Sequence, residues 1–212
     1  MRLVHLSDIH LGFRQYQRQT PTGINQREAD VAASLRRVID RVIELKPELV
    51  LIAGDVFHAV RPSNPAILHA FHQFSRLMES LPGTTVVMVA GNHDTPRTAE
   101  TGCILRLFSP LGINVVEGEP KRIPFPEHDL SILAVPDMGK TPPFEPDPHA
   151  KYNILLLHGE IEGVLPRSGR ELDRRPMGIT ERELGADRWD YVALGHYHVY
   201  RQIAPNAFYA GS

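Results

Sequence analysis

The fold class is indicated most clearly by residues 49–55, which read Leu49-Val50-Leu51-Ile52-Ala53-Gly54-Asp55. Its apolar residues run without a break and then end in a glycine and a carboxylate. A continuous apolar run of this length, rich in Val, Ile and Leu, is typical of a strand that is buried on both faces of its sheet. Further runs of the same kind predict strands at residues 3–6, 85–90, 130–135, 154–157 and 191–194.

The segments between the first three of these strands have the periodicity of helices. Apolar side chains recur every three or four positions over residues 26–45, before Pro47, so we predict an amphipathic helix there. A second helix is predicted over residues 65–81, with Ser63 or Asn64 as its cap. Strands that alternate with helices are the pattern of βαβ units. We therefore predict a layered α/β fold, with central β-sheets flanked by helices, and a single domain over residues 1–212.

Composition sets limits on function. The chain has 212 residues, of which 42% are hydrophobic and 23% are charged, as in soluble globular proteins. The net charge of -2 gives no overall attraction for nucleic acid. The single cysteine, Cys103, excludes an internal disulfide or a thiolate metal cage within one chain. No apolar run is long enough for a membrane-spanning helix, and the polar N-terminus does not match a signal peptide, so we expect a cytoplasmic protein with no membrane contact.

Clusters of polar residues stand where the apolar runs end. In open α/β sheets, ligands bind outside the carboxyl ends of the strands, so residues far apart in sequence can build one site. We expect the clusters to converge at the carboxyl ends of strands from one layered sheet. The clusters are Asp8 with His10, Gly54-Asp55, Gly91-Asn92-His93-Asp94, His158, and Gly195-His196-Tyr197-His198.

These clusters supply oxygen and nitrogen ligands. Carboxylate, amide and imidazole groups suit divalent ions such as Mn, Fe, Ni or Zn. The set exceeds what one ion needs, whereas two ions about 3.5–4 Å apart, bridged by a carboxylate, would use every member and would clamp both oxygens of a phosphoryl displacement. The predicted centre is therefore dinuclear, and its ligands are Asp8, His10, Asp55, Asn92, His158, His196 and His198.

The segments DIH, GDVFH, GNHD, HGE and GHYH, in this order, resemble those of the calcineurin-like metallophosphoesterase superfamily. Within it, residues 52–58 (IAGDVFH), followed by residues 61–63 (RPS), are similar to the SbcD-type nucleases of DNA double-strand-break repair, the meiotic recombination eleven family. Residues 11–13 (LGF) add to this likeness, which spans essentially the whole chain. The resemblance implies a layered metallophosphoesterase fold with the metal centre at the carboxyl ends of strands.

The resemblance also implies how the ligands divide between the ions. One ion would be held by Asp8, His10, Asp55 and His198. The other ion would be held by Asp55, Asn92, His158 and His196, so that Asp55 is the bridge. A hydroxide between the ions would attack phosphorus in line, because the ions lower the pKa of its parent water.

Other residues receive roles beside the metals. His93 would stabilise the pentacoordinate phosphorus as a cationic imidazole and protonate the leaving sugar oxygen, and Asp94 would orient its ring. The resemblance implies that His58 places the substrate nucleotide, and Arg61 is expected at the same substrate site.

The family resemblance implies an activity and partners as well. We expect a manganese-dependent nuclease, with 3′–5′ exonuclease action on duplex ends and endonuclease action on single strands, in complex with an SbcC-type coiled-coil ABC ATPase. The chain stops at Ser212, whereas SbcD-type proteins continue into a DNA-capping and ATPase-docking region, so that region is expected to be absent. A homodimer is expected to form through the second helix, by way of some of its apolar residues Ile67, Leu68, Phe71 and Phe74.

Two other functions stay open. The same metal centre could cleave a small phosphodiester or phosphomonoester, and only the substrate groove separates that function from a nuclease. The fold could also serve as a non-enzymatic scaffold for protein binding, although the intact ligand set argues against this. Basic residues in two predicted loops could border the site and bind DNA phosphates. They are Arg14, Arg18, Arg27, Arg167, Arg170, Arg174 and Arg175.

Overall fold

Two β-sheets pack face to face in the computed structural model, which describes residues 1–96, 98, 102–138, 142–164 and 177–212. The strands, in chain order, are β1 (Leu3–Leu6), β2 (Leu49–Ala53), β3 (Thr85–Val89), β4 (Asn114–Val116), β5 (Lys121–Phe125), β6 (Leu130–Val135), β7 (Tyr152–His158), β8 (Glu160–Ile161), β9 (Gly178–Ile179), β10 (Tyr191–Gly195), β11 (Arg201–Ala204) and β12 (Ala207–Tyr209). The α-helices are α1 (Gln26–Leu45), α2 (Asn64–Ser80) and α3 (Glu181–Leu184). Short 3-10 helices cover Ile104–Leu111, Pro126–His128 and Ala186–Arg188.

The strand order gives both sheets parallel centres. The first sheet has the order β1-β2-β3-β4, and all its strands are parallel, with α1 and α2 as crossovers. The second sheet has the order β11-β12-β10-β7-β6-β5. Its four central strands are parallel, and β11 and β5 are antiparallel edges. In each sheet, therefore, the carboxyl ends of neighbouring central strands lie at one edge, which is where ligand sites of α/β sheets form.

Strand β2 shows why its apolar run is continuous. Leu49, Leu51 and Ala53 belong to the core between the two sheets, which they share with residues of β7 and β10. Val50 and Ile52 belong to the core under α1 and α2. Successive side chains of a strand point to opposite faces, so a strand between two cores must be apolar at every position. A third core covers the outer face of the second sheet.

The two long helices begin as the sequence predicted. The Asn25 side chain caps α1 by accepting hydrogen bonds from the backbone N–H groups of Arg27 and Glu28. The hydroxyl of Ser63 caps α2 by accepting from the N–H of Ala66. Both side chains accept hydrogen bonds from backbone N–H groups that have no partner within the first turn of the helix.

The predicted layered α/β fold with central β-sheets is confirmed. The strand ends that carry the polar clusters were expected in one layered sheet, which is wrong, because they belong to two sheets. Strands β8 and β9 form a separate two-stranded sheet. The prediction also missed the short strands β4, β5, β8, β9, β11 and β12. Strand β5 shows the reason: it is an edge strand with the exposure pattern exposed, exposed, buried, exposed, buried, so it has no continuous apolar run. No helix within the described ranges combines the length and the apolar composition that crossing a bilayer requires.

The second helix exposes some of the residues named for the dimer and buries one of them. Phe74 is fully buried, and its ring lies 4.9 Å from that of Phe108 in an edge-to-face contact. It therefore cannot pack across a twofold axis, and its inclusion in the dimer surface was wrong. Leu68 is 58% exposed and stays available on that surface.

The structure describes only part of the predicted basic loops. Arg14 is held by Glu28, with 2.7 Å between its Nε and a carboxylate oxygen, and Arg27 lies at the start of α1. Arg18 is exposed, and its backbone carbonyl accepts a hydrogen bond of 2.9 Å from the N–H of Gln26. The other four loop arginines for which a DNA contact was predicted lie outside the described residues; they are Arg167, Arg170, Arg174 and Arg175.

Replacement of Phe74 by alanine tests the helix-covered core. We expect Phe74→Ala to lower the free energy of unfolding by about 3–5 kcal/mol, because it removes a buried ring and leaves a cavity against Phe108. Ile24→Ala is the matched control, since Ile24 is 47% exposed and should change stability by no more than about 0.5 kcal/mol. Urea unfolding measures both values. Equal losses for the two variants would contradict the packing described.

Candidate metal centre

The predicted ligands come together at the carboxyl ends of five strands. Asp8 and His10 follow β1, Asp55 follows β2, and Asn92 follows β3 in the first sheet, while His158 ends β7 and His196 follows β10 in the second. The loops after β1 and β2 stay paired beyond the strands, with a hydrogen bond of 2.9 Å from the N–H of His10 to the carbonyl of Asp55. The site is therefore built between two sheets.

Two glycines allow this close approach. A Cβ atom on Gly195 would overlap the carbonyl oxygen of Ala53, which belongs to the other sheet. A Cβ atom on Gly91 would overlap the Asp55 carboxylate. The glycines of the GNHD and GHYH segments thus leave the space in which the strand ends meet.

Asp55 lies at the centre of the cluster. Its oxygen Oδ1 accepts a hydrogen bond of 2.9 Å from the backbone N–H of His93. Its oxygen Oδ2 is buried and has no hydrogen-bond partner among the described residues. That oxygen lies 3.6 Å from Nε2 of His10 and 3.5 Å from Nε2 of His158. A buried carboxylate oxygen without a partner is costly in a folded protein, and a cation removes that cost.

His158 presents one nitrogen to the site in a fixed orientation. Its Nδ1 donates a hydrogen bond of 2.8 Å to the carbonyl of Ala53, which leaves Nε2 directed at Asp55 and at Oδ1 of Asn92, 3.0 Å away. A ligand imidazole whose other nitrogen binds a backbone carbonyl is the usual arrangement at metal sites. Asp8, Asp55 and His158 form one group whose ligand atoms all lie within 4.8 Å of one another.

A second group shares Asp8. Its ligand atoms, from Asp8, His10 and His198, also lie within 4.8 Å of one another, and Nε2 of His10 lies 2.9 Å from Nε2 of His198. The Asp8 carboxylate accepts from the backbone N–H of His196, with both oxygens 3.1 Å from that nitrogen. The His196 ring lies 5.6 Å from that of His158. The structure thus brings every predicted ligand into one cluster, and its donor set fits divalent ions.

The environment keeps several of these imidazoles neutral. Burial, together with the smaller effect of the neighbouring His198, lowers the pKa of His10 to about 2. Burial likewise lowers the pKa of His196 to about 3. At His158 burial opposes the charged form, but the carboxylates of Asp55 and Asp8 outweigh it and raise the pKa. A neutral imidazole has the free lone pair that a metal requires.

Backbone strain is concentrated at the ligands. Among the described residues, seven non-glycine residues have positive φ, a region that L-residues rarely occupy, and four of the seven are predicted ligands. Each such conformation costs on the order of 1–3 kcal/mol, and this kind of strain clusters at functional sites. The four ligands are Asp8, His10, Asp55 and His196.

His93 and His58 lie together beside the metal ligands. Nδ1 of His93 donates a hydrogen bond of 2.8 Å to the carbonyl of His58, and the two rings stack 5.2 Å apart. Ligand atoms of His10, His58 and His93 lie within 4.8 Å of one another. Burial lowers the pKa of His58, and His93 contributes to the same effect.

Asp94 has a different role from the one expected. Its buried carboxylate accepts hydrogen bonds from the backbone N–H groups of Val56 at 3.1 Å, Phe57 at 3.0 Å and Gly91 at 3.1 Å. The partner of the His93 ring is the carbonyl of His58, so Asp94 does not orient that ring. Through these hydrogen bonds, Asp94 connects the loop after β2 with the loop after β3.

Arg61 is not part of the cluster. It is exposed and lines a separate groove with Ile67, Cys103 and Arg106. The metal ligands border a different cavity of about 440 Å³, which contains Asp8, His10, His58 and His198 on one side and residues of α1 on another. The expected role of Arg61 at the same substrate site as His58 is therefore not supported by this geometry.

The sequence analysis missed two residues of the site. Phe13 lines the same cavity, and its ring meets the edge of His58 with the centroids 4.8 Å apart. Asp137 is buried beside the site, where its charge, after burial and Asp8, helps to raise the pKa of Asp55. Its Oδ1 accepts a hydrogen bond of 2.9 Å from the backbone N–H of Met177. Asp137 follows strand β6, so the rule that located the predicted ligands, a polar residue just beyond an apolar run, would have found it.

Comparison with known proteins agrees with this geometry. The family model described as calcineurin-like phosphoesterase matches residues 1–200. The DNA double-strand break repair protein Mre11 of Methanocaldococcus jannaschii is 31% identical over 206 residues, which are 93% of this chain and 51% of that protein. The protein of the same name from Sulfolobus acidocaldarius is 29% identical over 213 residues, or 95% of this chain and 50% of that protein.

The likeness covers nearly all of this chain but only part of each relative. The chain spans about half the length of the curated relatives it matches. A solved structure, nuclease MPE of Pseudomonas putida, is 22% identical and has a TM-score of 0.34, covering 71% of this chain and 58% of that one, which is too weak a likeness to support an inference. The family match spans nearly the whole chain, and it includes every strand end that carries a ligand. This chain belongs to the calcineurin-like phosphoesterase family.

Proposed function

We propose that this chain is the catalytic part of a metal-dependent DNA nuclease of double-strand-break repair. The observation that carries the proposal is the buried Oδ2 of Asp55, which has no hydrogen-bond partner in the described chain and lies between two imidazole nitrogens. Such an oxygen fits a carboxylate that bridges two cations. The likeness to relatives named as DNA break repair proteins supports DNA as the substrate.

The two metal sites share Asp55. We assign Asp8, His10, Asp55 and His198 to one ion, and Asp55, Asn92, His158 and His196 to the other. The short distances from His10 to His198 and from His158 to Asn92 support this division. Manganese suits a mixed set of oxygen and imidazole ligands and is the ion we propose. When bound, the pair would lower the pKa of a water molecule and stabilise negative charge on phosphoryl oxygens.

The protein's own residues supply the proton and the orientation. With Nδ1 of His93 bound to the His58 carbonyl, Nε2 is the nitrogen left to carry a proton toward the substrate. A half-buried imidazole in this place can stabilise developing charge and protonate the leaving sugar oxygen. His58 and Phe13 form the wall of the cavity beside it, where we place the nucleotide.

Several finer features of the proposal rest on the family resemblance. They are 3′–5′ exonuclease action on duplex ends, endonuclease action on single strands, and assembly with an SbcC-type coiled-coil ABC ATPase. We propose residues 1–212 as the catalytic domain, and a cytoplasmic location stays a prediction.

Metal counting tests the shared ligand. After dialysis in Mn²⁺, the wild type should retain two ions per chain. We expect Asp55→Asn to lose at least one of them, because the neutral amide cannot bridge two cations. Asp40→Asn is the control, since that carboxylate pairs with Arg76 at the surface. Elemental analysis gives the counts, and retention of two ions by Asp55→Asn would contradict the bridging role.

Digestion of end-labelled linear duplex DNA in Mn²⁺ tests the nuclease itself, with a small chromogenic phosphodiester run beside it. We expect the wild type to shorten the duplex from its 3′ ends. His93→Ala should keep both ions and lose about 10²–10⁴-fold in rate, the usual contribution of a general acid. The exposed His128 provides the control variant His128→Ala, which should cleave at the wild-type rate.

The outcomes of that experiment separate the candidate functions. Cleavage of the small diester alone would overturn DNA as the substrate of this chain and favour a small-molecule phosphodiesterase. Loss of both ions from the wild type during dialysis would favour a binding scaffold without enzymatic activity.

A homodimer is part of the proposal. Leu68 is exposed on α2, and its neighbours Ile67 and Phe71 are half-buried because they also pack against the core. Their accessible parts could pack against a second copy. We expect sedimentation to show a concentration-dependent dimer that Leu68→Glu dissociates, because a buried charge at the contact is unfavourable. Ile24→Glu, on another exposed apolar residue, should leave the dimer intact. A wild type that sediments as a monomer at every concentration would rule this out.

A further inference from the structure

Four aromatic rings lie in a row that runs from the first sheet across the second. The His5 ring meets the Tyr191 ring edge to face at 6.0 Å, and Tyr191 stacks on Phe208 at 5.7 Å with 23° between the planes. Phe208 stacks in turn on Tyr200 at 6.4 Å, again with 23° between the planes. Residues from β1, β10, β12 and the segment before β11 therefore form one ladder of rings.

The outer end of this ladder faces solvent. Tyr200 is 65% exposed and its neighbour Val199 is 61% exposed, whereas the other end of the ladder, at His5, is half-buried. Packing against Phe208 occupies one face of the Tyr200 ring, and the exposure of the residue leaves the opposite face open. The core beneath holds the ring in place before any ligand arrives, which lowers the entropy cost of binding.

The backbone of Tyr200 lies near the predicted metal centre. Tyr200 is two residues beyond the predicted metal ligand His198, so their Cα atoms are at most about 7 Å apart. The backbone of Tyr200 also lies against Gly211, where a Cβ atom would come within 2.7 Å of the Tyr200 nitrogen. Gly211 lines the same cavity as Asp8, His10 and His198. A chain leaving the metal centre past His198 and Gly211 would therefore reach Tyr200.

We propose that Tyr200, supported by Phe208, is a stacking site for an unpaired base of a single strand that leaves the metal centre. Aromatic faces bind unpaired bases of any sequence. In a duplex both faces of a base are covered by its neighbours, so an open ring face selects single-stranded nucleic acid. The exposed Arg201, next in the chain, offers a cation for an adjacent phosphate. This inference rests on the proposed nuclease function and adds to it a subsite for unpaired nucleotides.

Binding of a labelled single-stranded oligonucleotide with phosphorothioate linkages, which slow hydrolysis, tests the site by fluorescence anisotropy. We expect Tyr200→Ala to raise the Kd about tenfold, a typical loss for one stacked base. Tyr200→Leu should lose as much, because it keeps apolar area without a ring, and Tyr200→Phe should bind like the wild type. The increase in Kd caused by Tyr200→Ala should be the same at low and high salt, since stacking releases no counterions.

Tyr152→Ala is the matched control. Tyr152 is 44% exposed and stands beside the basic Lys151, but it begins β7 at the end of the strand opposite His158. Its replacement should leave the Kd unchanged. An oligonucleotide with abasic sites should bind the wild type about as weakly as Tyr200→Ala binds the normal strand.

The results that overturn this inference differ from those that overturn the nuclease. Wild-type affinity of Tyr200→Ala or of Tyr200→Leu would refute stacking, and so would an equal loss of affinity for blunt duplex. If Tyr200→Ala fails to fold, the comparison of Tyr200→Leu with Tyr200→Phe decides. The proposed function is read separately, from metal-dependent cleavage of DNA by the wild type. If the wild type neither binds nor cleaves DNA, the proposed function fails, and this inference fails with it.

Discussion

A buried carboxylate oxygen without a hydrogen bond is the constraint on which the rest of this structure depends. Oδ2 of Asp55 lies between the imidazoles of His10 and His158, and each imidazole belongs to a different sheet. No proton donor of the described chain satisfies that oxygen, so the arrangement is unfavourable unless a cation is bound. The two sheets are therefore joined at a point whose chemistry is that of a shared metal ligand.

The residues around Asp55 hold its carboxylate in place, and several of them adopt strained backbone conformations. Asp8, His10, Asp55 and His196 have positive φ, and Asp94 uses its buried carboxylate to hold three backbone N–H groups of the adjoining loops. Helices, cores and edge strands supply the stability that offsets the strain. Ligands fixed in this way need little reorganisation when a phosphate arrives, which is the basis of electrostatic preorganisation.

The sequence predicted what depends on local pattern and missed what depends on long-range packing. The continuous apolar run before Asp55 correctly predicted a strand that is buried on both faces, and Ser63 correctly predicted where α2 begins. Edge strands such as β5 were not predicted, because the residues of β5 that face solvent interrupt its apolar run. The ligand cluster followed from strand ends, but the partner of His93 is the backbone carbonyl of His58, which no side-chain pattern reveals. The burial of Phe74 depended on Phe108, which lies far along the chain.

Diffraction from crystals grown with Mn²⁺, with an anomalous difference map recorded at the manganese absorption edge, tests whether two ions share Oδ2 of Asp55. We expect two peaks about 3.5–4 Å apart, on either side of Asp55 and both within coordination distance of Oδ2. A single peak, or two peaks that do not share Asp55, would contradict the bridging role of this oxygen.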